Sequence, residues 1–203
     1  MITISLCMIV KNEEAVLERL LRTMSTVADQ IVIMDTGSTD RTKEIAARYT
    51  DEVYDFPWTD DFAAARNAVC QKAVSDYWMW MDADDVMEPE QAARLKKLKE
   101  TLDPSVDVVM MKYLTGFDEN GRTSFSYYRE RILKTTRGSG GRAGCMKLSP
   151  LPAISYTPIL RFSTGRRAPG IRTATSDIRN HAEPGRTSGT QTPVLLRQGA
   201  LLP

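Results

Sequence analysis

The sequence predicts an α/β fold: a mostly parallel sheet with helices on both faces, then a β-hairpin, then an irregular C-terminal tail. Three observations carry that expectation. Short β-rich runs alternate with amphipathic helical stretches along the first hundred residues. The early runs are nearly all apolar rather than alternating, as parallel strands covered on both faces are. The alternation then gives way to two β-rich runs around Asn120-Gly121, a dipeptide suited to tight hairpin turns.

Taken in order, Ile2 to Val10 reads as a buried first strand. Asn12 stands where a helix N-cap belongs, and Glu13 and Glu14 suit the positive end of the dipole. Val16, Leu17, Leu20, Leu21 and Met24 then mark one face of a helix. Ile31 to Met34 is a second strand, stopped by Asp35-Thr36-Gly37-Ser38-Thr39-Asp40, which reads as a turn with a helix cap. Ile45, Ala46 and Tyr49 give the next helix, and Glu52 to Phe56 a short third strand. Beyond Pro57, a helix from Asp61 to Ala73 buries Phe62, Ala65 and Val69. Tyr77 to Met81 is the fourth strand, with Trp78 and Trp80 as core, broken by Asp82-Ala83-Asp84-Asp85. Pro89 opens a helix carrying Leu95, Leu98 and Leu102 inward, with Lys96, Lys97 and Lys99 as a solvated face. Val106 to Leu114 and Thr123 to Leu133 form the hairpin.

The composition divides the 203 residues unevenly. Residues 1–137 hold 18 Lys+Arg against 24 Asp+Glu, a net of −6, whereas residues 138–203 hold 9 against 2, a net of +7. The second part also carries 9 of the 12 glycines and 7 of the 10 prolines, and no period of 2 or 3.6 survives there. The expected organisation is therefore a folded domain over 1–137 and a Pro/Gly-rich basic tail over 138–203. An overall net charge of +1 gives no general pull toward nucleic acid or acidic membranes. No run approaches the roughly 20 apolar residues of a membrane span, and the first residues lack a secretory pattern. Cys7, Cys70 and Cys145 form no CxxC pair, so reduced thiols in a cytoplasmic protein are expected.

In open sheets of this kind, ligands gather beyond the carboxyl ends of the strands. Asp35 closes the second strand, and Asp82 and Asp84 close the fourth. An aspartate there accepts from a ribose hydroxyl or a base N–H. Two carboxylates spaced i, i+2 around a tight turn approach one hard cation, Mg²⁺ or Mn²⁺, shared with substrate phosphates. These residues point to a nucleoside diphosphate held across the first, second and fourth strands. GxxxxGK[ST] and GxGxxG are both absent, and the single histidine, His181, falls in the tail. A nucleotidyltransferase would want a basic, glycine-rich loop after the first strand, and an aspartyl phosphatase its DxD there; neither occurs.

Four blocks in this order resemble the family 2 glycosyltransferases of GT-A (Rossmann-like) fold. They are Ser5-Leu6-Cys7-Met8-Ile9-Val10-Lys11-Asn12-Glu13-Glu14, Ile33-Met34-Asp35-Thr36-Gly37-Ser38-Thr39-Asp40, Phe62-Ala63-Ala64-Ala65-Arg66-Asn67 and Met81-Asp82-Ala83-Asp84-Asp85. The resemblance covers about residues 2–137, and the similar subgroup often joins this domain to tetratricopeptide repeats. It implies transfer of a sugar from a nucleotide-diphosphate donor, UDP-linked by preference, with inversion at the anomeric carbon. By position it implies Lys11 and Glu13 at the nucleotide edge, Asp35 on the base, and Arg66 on the base or diphosphate. Asp82 would face the ribose, and Asp84, with Asp82, would hold Mn²⁺ or Mg²⁺. The acceptor stays open among peptide, lipid carrier and glycan.

Relatives continue past the hairpin with a block like W-E-G-x-V-H-E. Here Arg129-Glu130-Arg131-Ile132-Leu133-Lys134 still matches, but no acid follows until Asp177. One synonymous encoding of Gly138 to Leu151, read two nucleotides later, gives FRWEGRVHEAISP. A frameshift near Arg137 would explain the composition break, the charge reversal and the missing block together. The expected polypeptide then has the donor half of a transferase, with transfer impaired. Its alternative description is a non-catalytic nucleotide-diphosphate-binding module.

Overall fold

The computed structural model describes residues 1–117 and 123–135, together with two short strands at 155–156 and 161–164. Its strands are β1 (Ile4–Val10), β2 (Gln30–Asp35), β3 (Val53–Asp55), β4 (Tyr77–Trp80), β5 (Asp85–Val86), β6 (Val108–Phe117), β7 (Thr123–Lys134), β8 (Ser155–Tyr156) and β9 (Arg161–Thr164). The helices are α1 (Leu17–Met24), α2 (Thr42–Ala46), α3 (Phe62–Cys70) and α4 (Pro89–Thr101). All strands join one sheet in the order β3-β2-β1-β4-β7-β6-β9-β5, with β8 also on β6. The β3-β2-β1-β4 half is parallel, β7 runs antiparallel to both β4 and β6, and β6 to β9 is parallel again. The expected α/β architecture, a mostly parallel sheet with helices on both faces followed by a β-hairpin, is thus the observed one.

The alternation along β1 explains why both faces are covered. Ile4, Leu6, Met8 and Val10 enter a core shared with Leu17, Leu20 and Leu21 of α1, Ile45 of α2 and Leu95 and Leu98 of α4. Cys7 points the other way, into a second core with Val32, Met34, Val69 and Cys70 of α3, Trp78 and Trp80. A strand buried on both faces cannot alternate apolar with polar, hence the continuous apolar run. Truncating Leu6, which is fully buried, to alanine should cost about 2–5 kcal/mol.

Several local expectations are corrected. Asn12 is not an N-cap: it has a left-handed φ of 54°, and α1 begins only at Leu17, with Val16 as its cap residue. The α2 cap residue is Arg41, so Gly37-Ser38-Thr39 makes the turn without capping the helix. Phe62 is only half-buried and α3 stops at Cys70 rather than Ala73. Lys99 is no solvated residue. It is 7% exposed, its Nζ donating to the Val27 carbonyl at 2.7 Å and pairing with Asp29 at 2.7 Å. The hairpin pairs as expected, Tyr113 opposite Tyr127 and Val108 opposite Leu133. Its Asn120-Gly121 turn, Cys145 and His181 lie outside the described residues. Two pieces of the expected irregular tail, β8 and β9, are sheet-paired. Cys7 and Cys70 are buried and in no disulfide. No helix among the described residues is long and apolar enough to cross a membrane.

Candidate functional site

The loops leaving β1 and β2 lie side by side because their polar groups satisfy each other. The Asn12 N–H donates to Ser38 Oγ at 2.9 Å, and the Thr39 N–H returns to Asn12 Oδ1 at 2.8 Å. The Glu13 N–H donates to Thr42 Oγ1 at 2.7 Å, and that of Glu14 to Asp40 Oδ2 at 3.1 Å. Burial alone would raise the Asp40 carboxyl, but hydrogen bonds from Thr42 and Glu14 outweigh it and hold it below its ordinary value. Gly37 adopts φ of +101° with open space where a Cβ would stand, so the backbone angle, not crowding, calls for glycine there.

Asp35 ends β2 inside this loop pair and is 1% exposed. Its Oδ1 accepts the N–H groups of Gly37 at 2.9 Å and Ser38 at 2.8 Å. Its Oδ2 is buried with no hydrogen-bond donor among the described residues. An unmet buried acceptor costs about 1–3 kcal/mol, which a ligand N–H or O–H placed there would recover. Lys11, half-buried, and Glu13, 3% exposed, stand in the β1 loop.

Asp82, Asp84 and Asp85 form the second centre. One carboxylate oxygen from each lies within 4.8 Å of the others, a spacing at which the three can hold a metal ion. The three are not equivalent. Asp82 is half-buried and Asp84 is 8% exposed, whereas Asp85 is fully buried. Asp85 Oδ2 pairs with Arg131 Nη1 at 3.1 Å and accepts the Asp82 N–H at 3.0 Å, while its Oδ1 accepts the Tyr113 hydroxyl at 2.8 Å. Burial pushes the Asp85 carboxyl up to about 6, against the pull of Arg131. Burial and the adjacent Asp85 carboxylate likewise raise the Tyr113 phenol. Asp85 is matched by Arg131, and Asp82 and Asp84 are the more exposed carboxylates of the three. Oxygen donors alone suit a hard ion.

Trp80, expected as plain core, is also a platform for cations. The guanidinium carbons of Arg131, Arg66 and Arg129 lie 4.0, 4.4 and 4.8 Å from its ring centroid. Its Nε1–H donates to the Glu130 carbonyl at 2.8 Å. Arg66 lines a small cleft with Phe62, Trp80, Met81 and Asp82. Burial lowers its guanidinium from the ordinary value, and the attraction of Asp82 opposes that shift. Parallel neighbours in a sheet lie about 4.8 Å apart, so Asp35 on β2 stands roughly 10 Å across β1 from the β4 turn. That is about the reach from a base to a pyrophosphate.

Sequence reasoning set Asp82 and Asp84 at the end of β4 and Asp35 at the end of β2; the resemblance implied Arg66 on the base or diphosphate, and it is the structure that brings Arg66 beside Asp82 and Trp80. Sequence reasoning assigned no role to Asp85, Tyr113, Arg129 or Arg131. The i, i+2 spacing of Arg129 and Arg131 on a strand paired with β4 was the available signal; Tyr113 offered none.

Several known proteins are similar to part of this chain. A TPR repeat-containing protein of Synechococcus elongatus is 38% identical over 96 residues, 47% of this chain and 24% of that protein. The glycosyltransferase SunS from the SPbeta prophage of Bacillus subtilis is 30% identical over 121 residues, 55% of this chain and 27% of that protein. The chain thus spans about a quarter of the length of these curated relatives. Among solved structures, S. aureus TarS aligns over 61% of this chain and 38% of its own, at 21% identity and a TM-score of 0.48. Glucosyl-3-phosphoglycerate synthase from Mycobacterium tuberculosis, solved with Mn²⁺ and UDP, aligns over 55% and 44% at 22% identity and 0.46. The sequence profile of Glycosyl transferase family 2 matches residues 5–152, spanning both loop centres and running past the composition break. A match over most of the chain, on the strands and turns that build the two acidic centres, places this protein in glycosyl transferase family 2.

Proposed function

We propose that the chain binds a nucleoside-diphosphate sugar, UDP-linked by preference, as the donor site of an inverting glycosyltransferase. The observation that carries this reading is the buried Asp35 Oδ2 at the end of β2, an acceptor without a donor among the described residues. Uracil offers an N3–H to such an atom. Lys11 and Glu13 would border the nucleotide from the β1 loop, and Asp82 would meet the ribose. Asp84, with Asp82, would hold Mn²⁺ or Mg²⁺, which supplies positive charge against the leaving diphosphate. Arg66 would add a fixed guanidinium toward the same phosphates.

In the transfer itself, the bond from the anomeric carbon to the diphosphate oxygen breaks as an acceptor nucleophile attacks from the opposite face. That attack needs a base to take the acceptor proton. After Glu130 the written sequence has no further acid before Asp177. This observation favours a second reading for the polypeptide as written: a nucleotide-diphosphate-binding domain over 1–137 followed by a tail over 138–203, with little transfer to peptide, lipid carrier or glycan.

Calorimetry with UDP in Mn²⁺ and in EDTA, beside a UDP-sugar turnover assay, tests both. Metal-promoted UDP binding is expected, with turnover near background. No binding in either condition overturns the donor-site reading. Robust transfer to an acceptor overturns the impaired one.

A further inference from the structure

The metal-facing turn Asp82-Ala83-Asp84 is held from three sides by side chains distant in sequence. From α1, Arg19 Nη2 donates to the Asp84 carbonyl at 3.1 Å. From β7, Arg131 Nη1 donates to the Trp80 carbonyl at 3.0 Å while pairing with Asp85. From β6, the Tyr113 hydroxyl fixes the second oxygen of Asp85. Asp85 in turn accepts the Asp82 N–H through its carboxylate, and its own N–H donates to the Asp82 carbonyl at 3.0 Å. The Arg131 guanidinium is sandwiched between Trp80 at 4.0 Å and Tyr113 at 4.7 Å.

We infer that Asp85, Arg131 and Tyr113 are positioning residues that hold the turn with the Asp82 and Asp84 carboxylates converged, so that hairpin β6–β7 sets the affinity of the metal centre. The inference rests on the donor-site reading and adds to it. Asp85 belongs to the cluster of three carboxylates, yet both its oxygens are occupied by donors of the protein. A metal taking Asp85 would compete with Arg131, Tyr113 and the Asp82 N–H for its lone pairs. Its use is to fix the Asp82 backbone, and through it the direction of the two neighbouring carboxylates. A buried ion pair of this kind is a poor source of net stability, because desolvation consumes most of the Coulombic gain. Selecting one geometry for the turn is the better account of its presence.

The test uses Tyr113→Phe, which removes one hydroxyl and keeps the ring, and Arg131→Lys, which keeps the charge but loses the planar fork. UDP affinity is measured in EDTA and in Mn²⁺, and amide exchange is followed at Asp82 and Asp84. The expected result is unchanged affinity in EDTA, about a ten-fold loss of the Mn²⁺-promoted gain, and faster exchange at Asp82 with β1 and β2 still protected. A Mn²⁺ gain retained within about two-fold in folded Tyr113→Phe overturns the inference. So does a parallel loss of both affinities with protection lost throughout, which is the signature of mere structural support. If the wild-type chain gains nothing from Mn²⁺, the donor-site reading falls and takes the inference with it.

Discussion

Asp35→Asn separates a ligand-binding aspartate from a structural one. The substitution keeps one side-chain oxygen to accept the Gly37 and Ser38 N–H groups, at 2.9 and 2.8 Å in the wild type. It replaces the buried Oδ2, which has no donor among the described residues, with an NH₂ group. Folding therefore loses no hydrogen bond and is relieved of a buried anionic oxygen, so the melting temperature should hold or rise. Binding is affected differently. A ligand N–H that met a carboxylate now meets another donor, forfeiting a charge-assisted bond of about 1.5–3 kcal/mol. At 1.4 kcal/mol per decade, UDP affinity should fall about ten- to hundred-fold. The chemistry also demands a reversal: cytosine presents a bare N3 where uracil presents N3–H, so the variant should shift toward CDP relative to UDP. Titration calorimetry of UDP and CDP in Mn²⁺, with thermal unfolding of both proteins, reads all three quantities. Unchanged UDP affinity in the folded variant would refute the placement of the base, as would equal losses for UDP and CDP.

Asp84→Ala should abolish the Mn²⁺-dependent part of UDP binding while leaving affinity in EDTA within about two-fold, which the same titration resolves; equal metal dependence in the variant removes Asp84 from the metal centre. Asp40→Ala should destabilise the fold by about 1 kcal/mol near neutral pH, because Asp40 accepts the N–H groups of Glu14 and Thr42. Since the folded carboxyl sits below its ordinary value, that contribution is complete above about pH 4 and is lost as pH falls through the lower folded value, so urea unfolding of wild type and variant should converge in acid. Sequencing the DNA across codons 130–145 from independent clones should reveal a one- or two-base discrepancy near Arg137, and an intact frame in every clone ends the frameshift explanation.

What the sequence disclosed and what it hid have physical reasons. The apolar run of β1 announced a doubly covered strand because both faces of that strand are in fact filled. The acids ending β2 and β4 were legible because ligands collect where parallel strands end. Asn12 misled because its type suits two jobs. The same short amide that caps helices also tolerates a left-handed backbone, and here its Oδ1 ties down the β2 loop instead of α1. Lys99 was misread because a lysine among lysines looks solvated, while its burial depends on a carbonyl and a carboxylate 72 and 70 positions away. Asp85 was hidden for the same reason. Local pattern makes it a third acid in an acidic turn, and only the strands that pair β4 with β7 and β6 bring Arg131 and Tyr113 to it.

That pairing also sets the hairpin against the acidic turn. The residues of the proposed donor site, from Lys11 through Arg66 and Asp84 to Arg131, precede residue 138, where the net charge of the sequence changes sign. The last two strands of that stretch are not an appendage to the acidic turn. Antiparallel to β4, β7 carries the guanidinium that faces Asp85 and two of the three stacked on Trp80. A polypeptide ending before β7 would leave Asp85 buried without its counter-charge, a defect of about 3–5 kcal/mol. The smallest unit expected to keep a metal-ready turn therefore extends through Lys134.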